Sequence, residues 1–179
     1  MVSKEMYELG AKSSVIREIF EFGKKRKAEI GAENVYDYSL GNPSVPAPEI
    51  VNETIRELTE NMLSTELHGY TSAVGDNETR KAIADDLNSR FGTSFTMNNL
   101  YMTCGAAASL CITFRALTEK DDEIIIFAPY FPEYKVFISS AGAKPVEVKC
   151  KADDLQIDLE AFEKAITPNT KAVIINSPN

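Results

Sequence analysis

Between residues 100 and 179, short apolar and β-branched runs alternate with segments of helical period, and this alternation restricts the fold more than any other feature. The runs are LYMTCG, EIIIFAPY, KPVEVKC and KAVIINSPN, separated by AAASLCITFRAL, FPEYKVFISSAG and IDLEAFEKAI. A helix between two strands is the crossover that parallel strands require, because a short turn can only reverse the chain. The pattern predicts an α/β fold with a mostly parallel sheet flanked by helices on both faces.

The first hundred residues are less regular. Ser13 or Ser14 can cap a helix running to about Ile30, with Val15, Ile16, Ile19, Phe20 and Phe22 as its apolar stripe and Gly31 as its stop. VYDYSL alternates like a short strand, and GNPSVPAPE is a turn-rich connector. Pro48-Glu49 opens a helix to about Asn61, HGYTSAVGD is a loop, and a helix is expected from about Asn77 to Phe91. No internal repeat or low-complexity tract interrupts this order.

Charge excludes one class of partner. With 27 acidic against 19 basic residues and a net charge of −8, the chain lacks the cationic surface on which nucleic-acid binding rests. The basic run Lys24-Lys25-Arg26-Lys27 lies among Glu18, Glu21 and Glu29 and reads as a solvated helix face. No stretch reaches the length of a membrane span, and the N-terminus lacks the apolar core and cleavage site of a signal peptide. Cys104, Cys111 and Cys150 have no metal-ligand spacing, and reduced thiols in a cytoplasmic protein account for them. No metal site is expected.

In open parallel sheets, ligands sit beyond the carboxyl ends of the strands. That rule selects the loops at 103–107, 128–131 and 177–179. In the first, Gly105 and three alanines open a helix. Small residues there let an anion approach the free N–H groups of the first turn, or they let the helix pack closely on the sheet. In the second, Tyr130 and Phe131 can offer a flat ring to a planar ligand, or they can fill core. Gly41 can expose a backbone N–H to a ligand or make the turn before Pro43. Tyr70 can donate a phenolic hydrogen bond to a phosphate or cover an apolar edge. His68, the only histidine, has no Ser or Cys plausibly paired with it and reads as a loop residue. The pairs Asp85-Asp86, Asp121-Asp122 and Asp153-Asp154 lie at helix ends or connectors, where solvated caps explain them.

Taken in order, Gly41-Asn42-Pro43, Gly69-Tyr70, Gly75 before ETRKAIADDL, TCGAAASL, APYFPEY and VIINSPN resemble the series of motifs in class I/II aminotransferases. These are fold-type I enzymes of the aspartate aminotransferase superfamily, which use pyridoxal 5′-phosphate, and the resemblance covers essentially the whole chain. It implies that Gly105, Ala106 and Ala107 cradle the cofactor phosphate and that Phe131 stacks on the pyridine ring. It also implies that Gly41 meets the substrate carboxylate and that Tyr70 reaches the cofactor phosphate of the neighbouring subunit of a homodimer. Asn176 to Asn179 look like the lead-in to an Asn-Pro-Thr/Ser-Gly loop expected right after Asn179, whose Asn would contact cofactor and substrate. Asn179 itself is a candidate cofactor contact. One departure is visible: many relatives place Ser or Thr in the phosphate turn, where Ala106 and Ala107 offer only backbone N–H groups.

The family's catalytic lysine, its pyridine-nitrogen aspartate and its carboxylate-binding arginine are expected beyond Asn179, so no catalytic residue is assigned within residues 1–179. The expected domains are a small-domain segment at 1–45 and the first, incomplete part of the cofactor domain at 46–179. The expected activity of a full-length parent is transfer of an amino group between an L-amino acid and a 2-oxo acid, with this portion inactive alone. A lyase or synthase of the same fold, and an effector-sensing domain of a transcription regulator, are alternatives. An unrelated nucleotide-binding domain predicts an acidic residue at the end of the next strand to hold a ribose, where EIIIFAPY instead ends in Pro and aromatics.

Overall fold

The computed structural model describes residues 2–11, 15–41 and 43–177. The helix caps expected at Ser13 or Ser14, the middle of the Gly-Asn-Pro turn at Asn42, and Asn179 lie outside those residues. The chain divides into two units, residues 1–69 and 70–179.

The first unit holds α1 (Lys4–Ala11), α2 (Val15–Ile30), a 3-10 turn at Ala32–Asn34, α3 (Glu49–Asn61) and the short α4 (Ser64–Leu67). α2 ends where Gly31 takes φ 89° and donates its N–H to the Lys27 carbonyl at 3.0 Å. VYDYSL, expected as a strand, forms none. Its alternation serves a side-chain tether to α2 instead. Lys27 Nζ donates to Asp37 Oδ2 at 2.7 Å, and the Ser39 N–H and hydroxyl donate to Asp37 Oδ1 at 3.0 and 2.6 Å. The carboxylate lies over Gly23, where an added Cβ would come within 3.1 Å of Oδ2. These donors hold the Asp37 carboxyl far below its usual range, the Lys27 hydrogen bond contributing most and the Ser39 hydroxyl and N–H adding to it.

The second unit begins with a loop and then α5 (Asn77–Phe91). The Asp76 carboxylate caps α5 by accepting the Thr79 N–H at 2.8 Å, and Gly92 closes it in the left-handed region. A 3-10 turn at Met97–Asn99 follows. LYMTCG was expected as a strand, and the structure corrects this. Leu100 is extended, but the Met102 N–H donates to the Val74 carbonyl at 3.0 Å, in a loop and outside any sheet ladder. The segment has strand composition without a strand neighbour among the described residues.

From there the expected alternation is present. α6 (Ala106–Leu117) precedes β1 (Glu123–Ala128), α7 (Glu133–Ser140), β2 (Lys144–Lys149), α8 (Leu159–Ala165) and β3 (Thr170–Ile174). The sheet is wholly parallel in the order β2-β1-β3, with Glu123 to Ala128 opposite Lys144 to Lys149 and Ile126 opposite Ile174. β1 is central and sends its side chains alternately to both faces. Ile124 and Ile126 pack with Phe114 of α6, Ile138 of α7 and Ala143. Ile125 and Phe127 pack with Val148 of β2 and with Ala161 and Phe162 of α8. Phe127 and Phe162 meet edge to face, with centroids 5.4 Å apart.

Two expectations follow. Ile126 is 0% exposed, so Ile126→Ala should cost about 3 kcal/mol in denaturant unfolding; a loss below about 1 kcal/mol would contradict its place in the core. Asp37 has a depressed carboxyl pKa, so the stability it contributes is full above the ordinary value of 3.8 and is lost as pH falls through the lower folded-state value. Thermal unfolding of wild type and Asp37→Asn should therefore differ at neutral pH and converge in acid. Parallel pH curves would remove the tether.

Candidate functional site

β2 and β3 flank β1 on opposite sides, so the crossover after β1 turns one way and the next passes to the other. The crevice at the carboxyl ends of β1 and β3 is the switch point at which open α/β sheets bind ligands. A shallow cleft there is lined by Ile126, Phe127, Tyr130, Tyr134, Ile157 and Ile174 to Asn176. α6 packs Phe114 and Leu110 on the β1 core and joins β1 through the short connection at 118–122. It therefore runs antiparallel to β1, and its N-terminus lies at this same edge.

That N-terminus is open. Gly105 precedes α6 with φ 89° and ψ 173°, no side chain caps the first turn, and nothing lies within 4 Å of where a Gly105 Cβ would stand. Ala106 and Ala107 are exposed. The first-turn N–H groups and the helix dipole are thus available to an anion, and the methyl side chains leave room for it. Two hydroxyls passed over in the sequence flank the turn. Thr103 Oγ1 donates to the Gly105 carbonyl at 3.1 Å and lies 2.5 Å from Ser109 Oγ. Ser109 is four residues past Gly105, on the same helix face, and that spacing was the available signal. The donors fit a phosphate monoester, and the departure noted at Ala106 and Ala107 leaves Thr103 and Ser109 as the nearby hydroxyls.

The two aromatics of APYFPEY divide the alternatives between them. Tyr130 is half-buried against the core, and its hydroxyl donates to Glu147 Oε2 at 2.7 Å. Phe131 is 49% exposed and makes an edge-to-face contact with Tyr134, with centroids 5.6 Å apart at 77°. One face of Phe131 can therefore receive a planar ring. Tyr134, which sequence reasoning did not single out, donates its hydroxyl to Asn176 Oδ1 at 3.3 Å and so joins α7 to the chain leaving β3. Its signal was helical spacing, three residues after Phe131.

Tyr70 and Gly41 are not among the residues that line this cleft. Tyr70 is fully exposed at the start of the second unit, on a loop held by Ser72 Oγ donating to the Gly75 carbonyl at 2.6 Å. Gly75 is buried at φ 100°, and a side chain there would collide with Met102. Gly41 belongs to the first unit, is exposed and has nothing within 4 Å of its Cβ position. Asp85 and Asp86, expected at a helix end, instead stand inside α5 and pair at the surface with Lys81 and Arg90, while Asp121 in the connector before β1 pairs with Lys144.

Residues 32–179 match the family model for aminotransferase class I and II. The chain is 32% identical over 148 residues to an aspartate aminotransferase of Sulfolobus acidocaldarius, covering 81% of this chain and 36% of that protein. It is 32% identical over 182 residues to an aspartate aminotransferase of Thermotoga maritima, covering 100% of this chain and 46% of that protein. The crystal structure of an amino transferase from Eubacterium rectale superposes with a TM-score of 0.93 at 60% identity, covering 100% of this chain and 45% of that one. The chain thus spans less than half the length of these relatives.

Gly105 stands in a backbone region that is essentially reserved for glycine, with open space where a Cβ would project. Gly105→Ala should therefore cost about 1–3 kcal/mol from the backbone alone, read by denaturant unfolding. An unchanged midpoint would show that the turn is not held in this conformation.

Proposed function

This chain belongs to the aminotransferase class I and II family, whose members are generally pyridoxal 5′-phosphate-dependent, and we propose that the whole protein transfers an amino group between an L-amino acid and a 2-oxo acid. The observation that carries this reading is an uncapped helix N-terminus and a half-exposed aromatic ring set at the same carboxyl edge of a parallel sheet. When bound, pyridoxal phosphate supplies an electron sink for charge developing at the substrate α-carbon.

In this reading the turn at Gly105, Ala106 and Ala107 holds the phosphate, the Ala106 and Ala107 N–H groups donating to it while the Gly105 N–H is taken by the Thr103 carbonyl at 2.9 Å. Phe131 covers one face of the ring and excludes water from it. The Gly41 N–H meets the substrate carboxylate. Tyr70 donates its phenol to the phosphate in the neighbouring subunit of a homodimer, a role suited to a side chain with no cover from its own unit. Asn179 is a candidate cofactor contact in the same reading. Residues 1–45 belong to the small domain and 46–179 to the cofactor domain, a division by place in the whole protein. The lysine that bonds the cofactor and moves the substrate proton lies outside residues 1–179, and these residues alone do not transaminate. A cytoplasmic location belongs to the same reading. Similar proteins include aspartate aminotransferases, which makes aspartate the first donor to assay.

The full-length protein should carry the visible absorbance of bound pyridoxal phosphate. Borohydride should abolish it and fix the label on a lysine outside residues 1–179. A label on a lysine within them, or no label, would overturn the assignment. Tyr70→Phe should raise the cofactor dissociation constant about tenfold or more, the loss of one hydrogen bond to a charged group; unchanged affinity would remove its role.

A further inference from the structure

Lys135, Glu147 and Tyr130 form a closed set of contacts that the proposed function does not use. Glu147 is on β2, opposite Ile126 of β1. Its Oε2 accepts the Tyr130 hydroxyl at 2.7 Å and the Lys135 ammonium at 2.8 Å, and Lys135 Nζ lies 5.3 Å from the centroid of the Tyr130 ring. The hydrogen bond between Lys135 and Glu147 holds the ammonium well above its usual range and the carboxyl below its own. Both charges therefore persist through neutral pH.

These three residues come from β2, the loop after β1, and the first turn of α7. Phe131 lies between Tyr130 and Lys135 in sequence, so its backbone is fastened to β2 on both sides. Its ring is more open: it is half exposed and packs edge to face with Tyr134, which is itself tied to Asn176. A ring this open would sample several rotamers on a mobile loop, and ordering it costs conformational entropy at the moment a ligand stacks on it. A solvent-reached ion pair such as Lys135–Glu147 contributes little to global stability. What it does here is geometric.

We propose that Glu147 is a positioning residue for Phe131: by holding Tyr130 and Lys135 it sets the pose of the ring that stacks on the cofactor. The proposal rests on the reading of Phe131 as that ring. Glu147 touches neither cofactor nor substrate in this account and acts through the loop.

The test uses the full-length protein, reconstituted with pyridoxal 5′-phosphate, and two readouts: the cofactor dissociation constant and the circular dichroism induced in the cofactor's visible band. Phe131→Ala should weaken binding about tenfold, as loss of one aromatic stack implies, and remove most of the induced signal. Glu147→Ala and Tyr130→Phe should each weaken binding about threefold and diminish the signal, with thermal unfolding nearly unchanged. Glu147→Gln, which still accepts from Tyr130, should recover part of both. Phe131→Ala combined with Glu147→Ala should bind no worse than Phe131→Ala alone.

If Phe131→Ala is impaired while Glu147→Ala and Tyr130→Phe match wild type, the positioning role is wrong and the stacking role stands. If the double variant is additive, Glu147 acts by another route and the proposal fails. If Phe131→Ala is itself silent, the reading beneath the proposal fails with it. Should Glu147→Ala not fold, Tyr130→Phe decides the matter alone.

Discussion

Burial of β1 on both faces is the constraint from which the second unit follows. Ile124, Ile125 and Ile126 are wholly buried, and alternate side chains of this strand must be covered from opposite sides. Parallel neighbours cannot be supplied by hairpins, so each comes with a helical crossover, and α7 and α8 are those crossovers. α6 and α7 cover one face and α8 covers the other. With all strands pointing one way, the loops that leave β1 and β3 gather at one edge. The N-terminus of α6, which must run back against β1, arrives at the same edge.

The site inherits its character from that arrangement. The part proposed to bind an anion is backbone, because the first turn of α6 has no side-chain cap and its opening residues are too small to block approach. Its aromatic part is a division of labour within one dipeptide: Tyr130 is consumed by packing and a hydrogen bond to Glu147, which leaves Phe131 at the surface. The ionic contacts at Glu147 and at Asp37 have related effects in separate units. Each fastens an irregular segment to a regular element, and neither is deep enough to stabilise the fold greatly.

The regular elements were legible in the sequence because their signals are local. α5 carries its own start and stop in Asp76 and Gly92, and β1 is an unbroken apolar run that little else could accommodate. Two segments misled for a shared reason. LYMTCG and VYDYSL have strand composition, yet a strand is a relation between two segments, and composition does not reveal the partner. The Met102 N–H is taken by Val74, and Asp37 is taken by Lys27 and Ser39, contacts that no periodicity encodes. At the site, the turn at Gly105 was visible as a glycine before a run of alanines, a pattern that close packing of the helix on the sheet would also produce. The pairing of Thr103 with Ser109 left only a spacing signal, because it depends on how the turn at Gly105 folds. The tie from Tyr134 to Asn176 and the contacts of Glu147 depend on side chains brought together by the crossovers.

The central claim is that the α6 N-terminus and Phe131 form two walls of one cofactor pocket. A crystal structure of the full-length protein grown with pyridoxal 5′-phosphate tests it most directly. The account predicts the phosphate within hydrogen-bond distance of the backbone N–H groups at 106 and 107, with the pyridine ring lying face to face over Phe131. A phosphate bound away from the α6 N-terminus, or a ring whose face Phe131 does not cover, would contradict it.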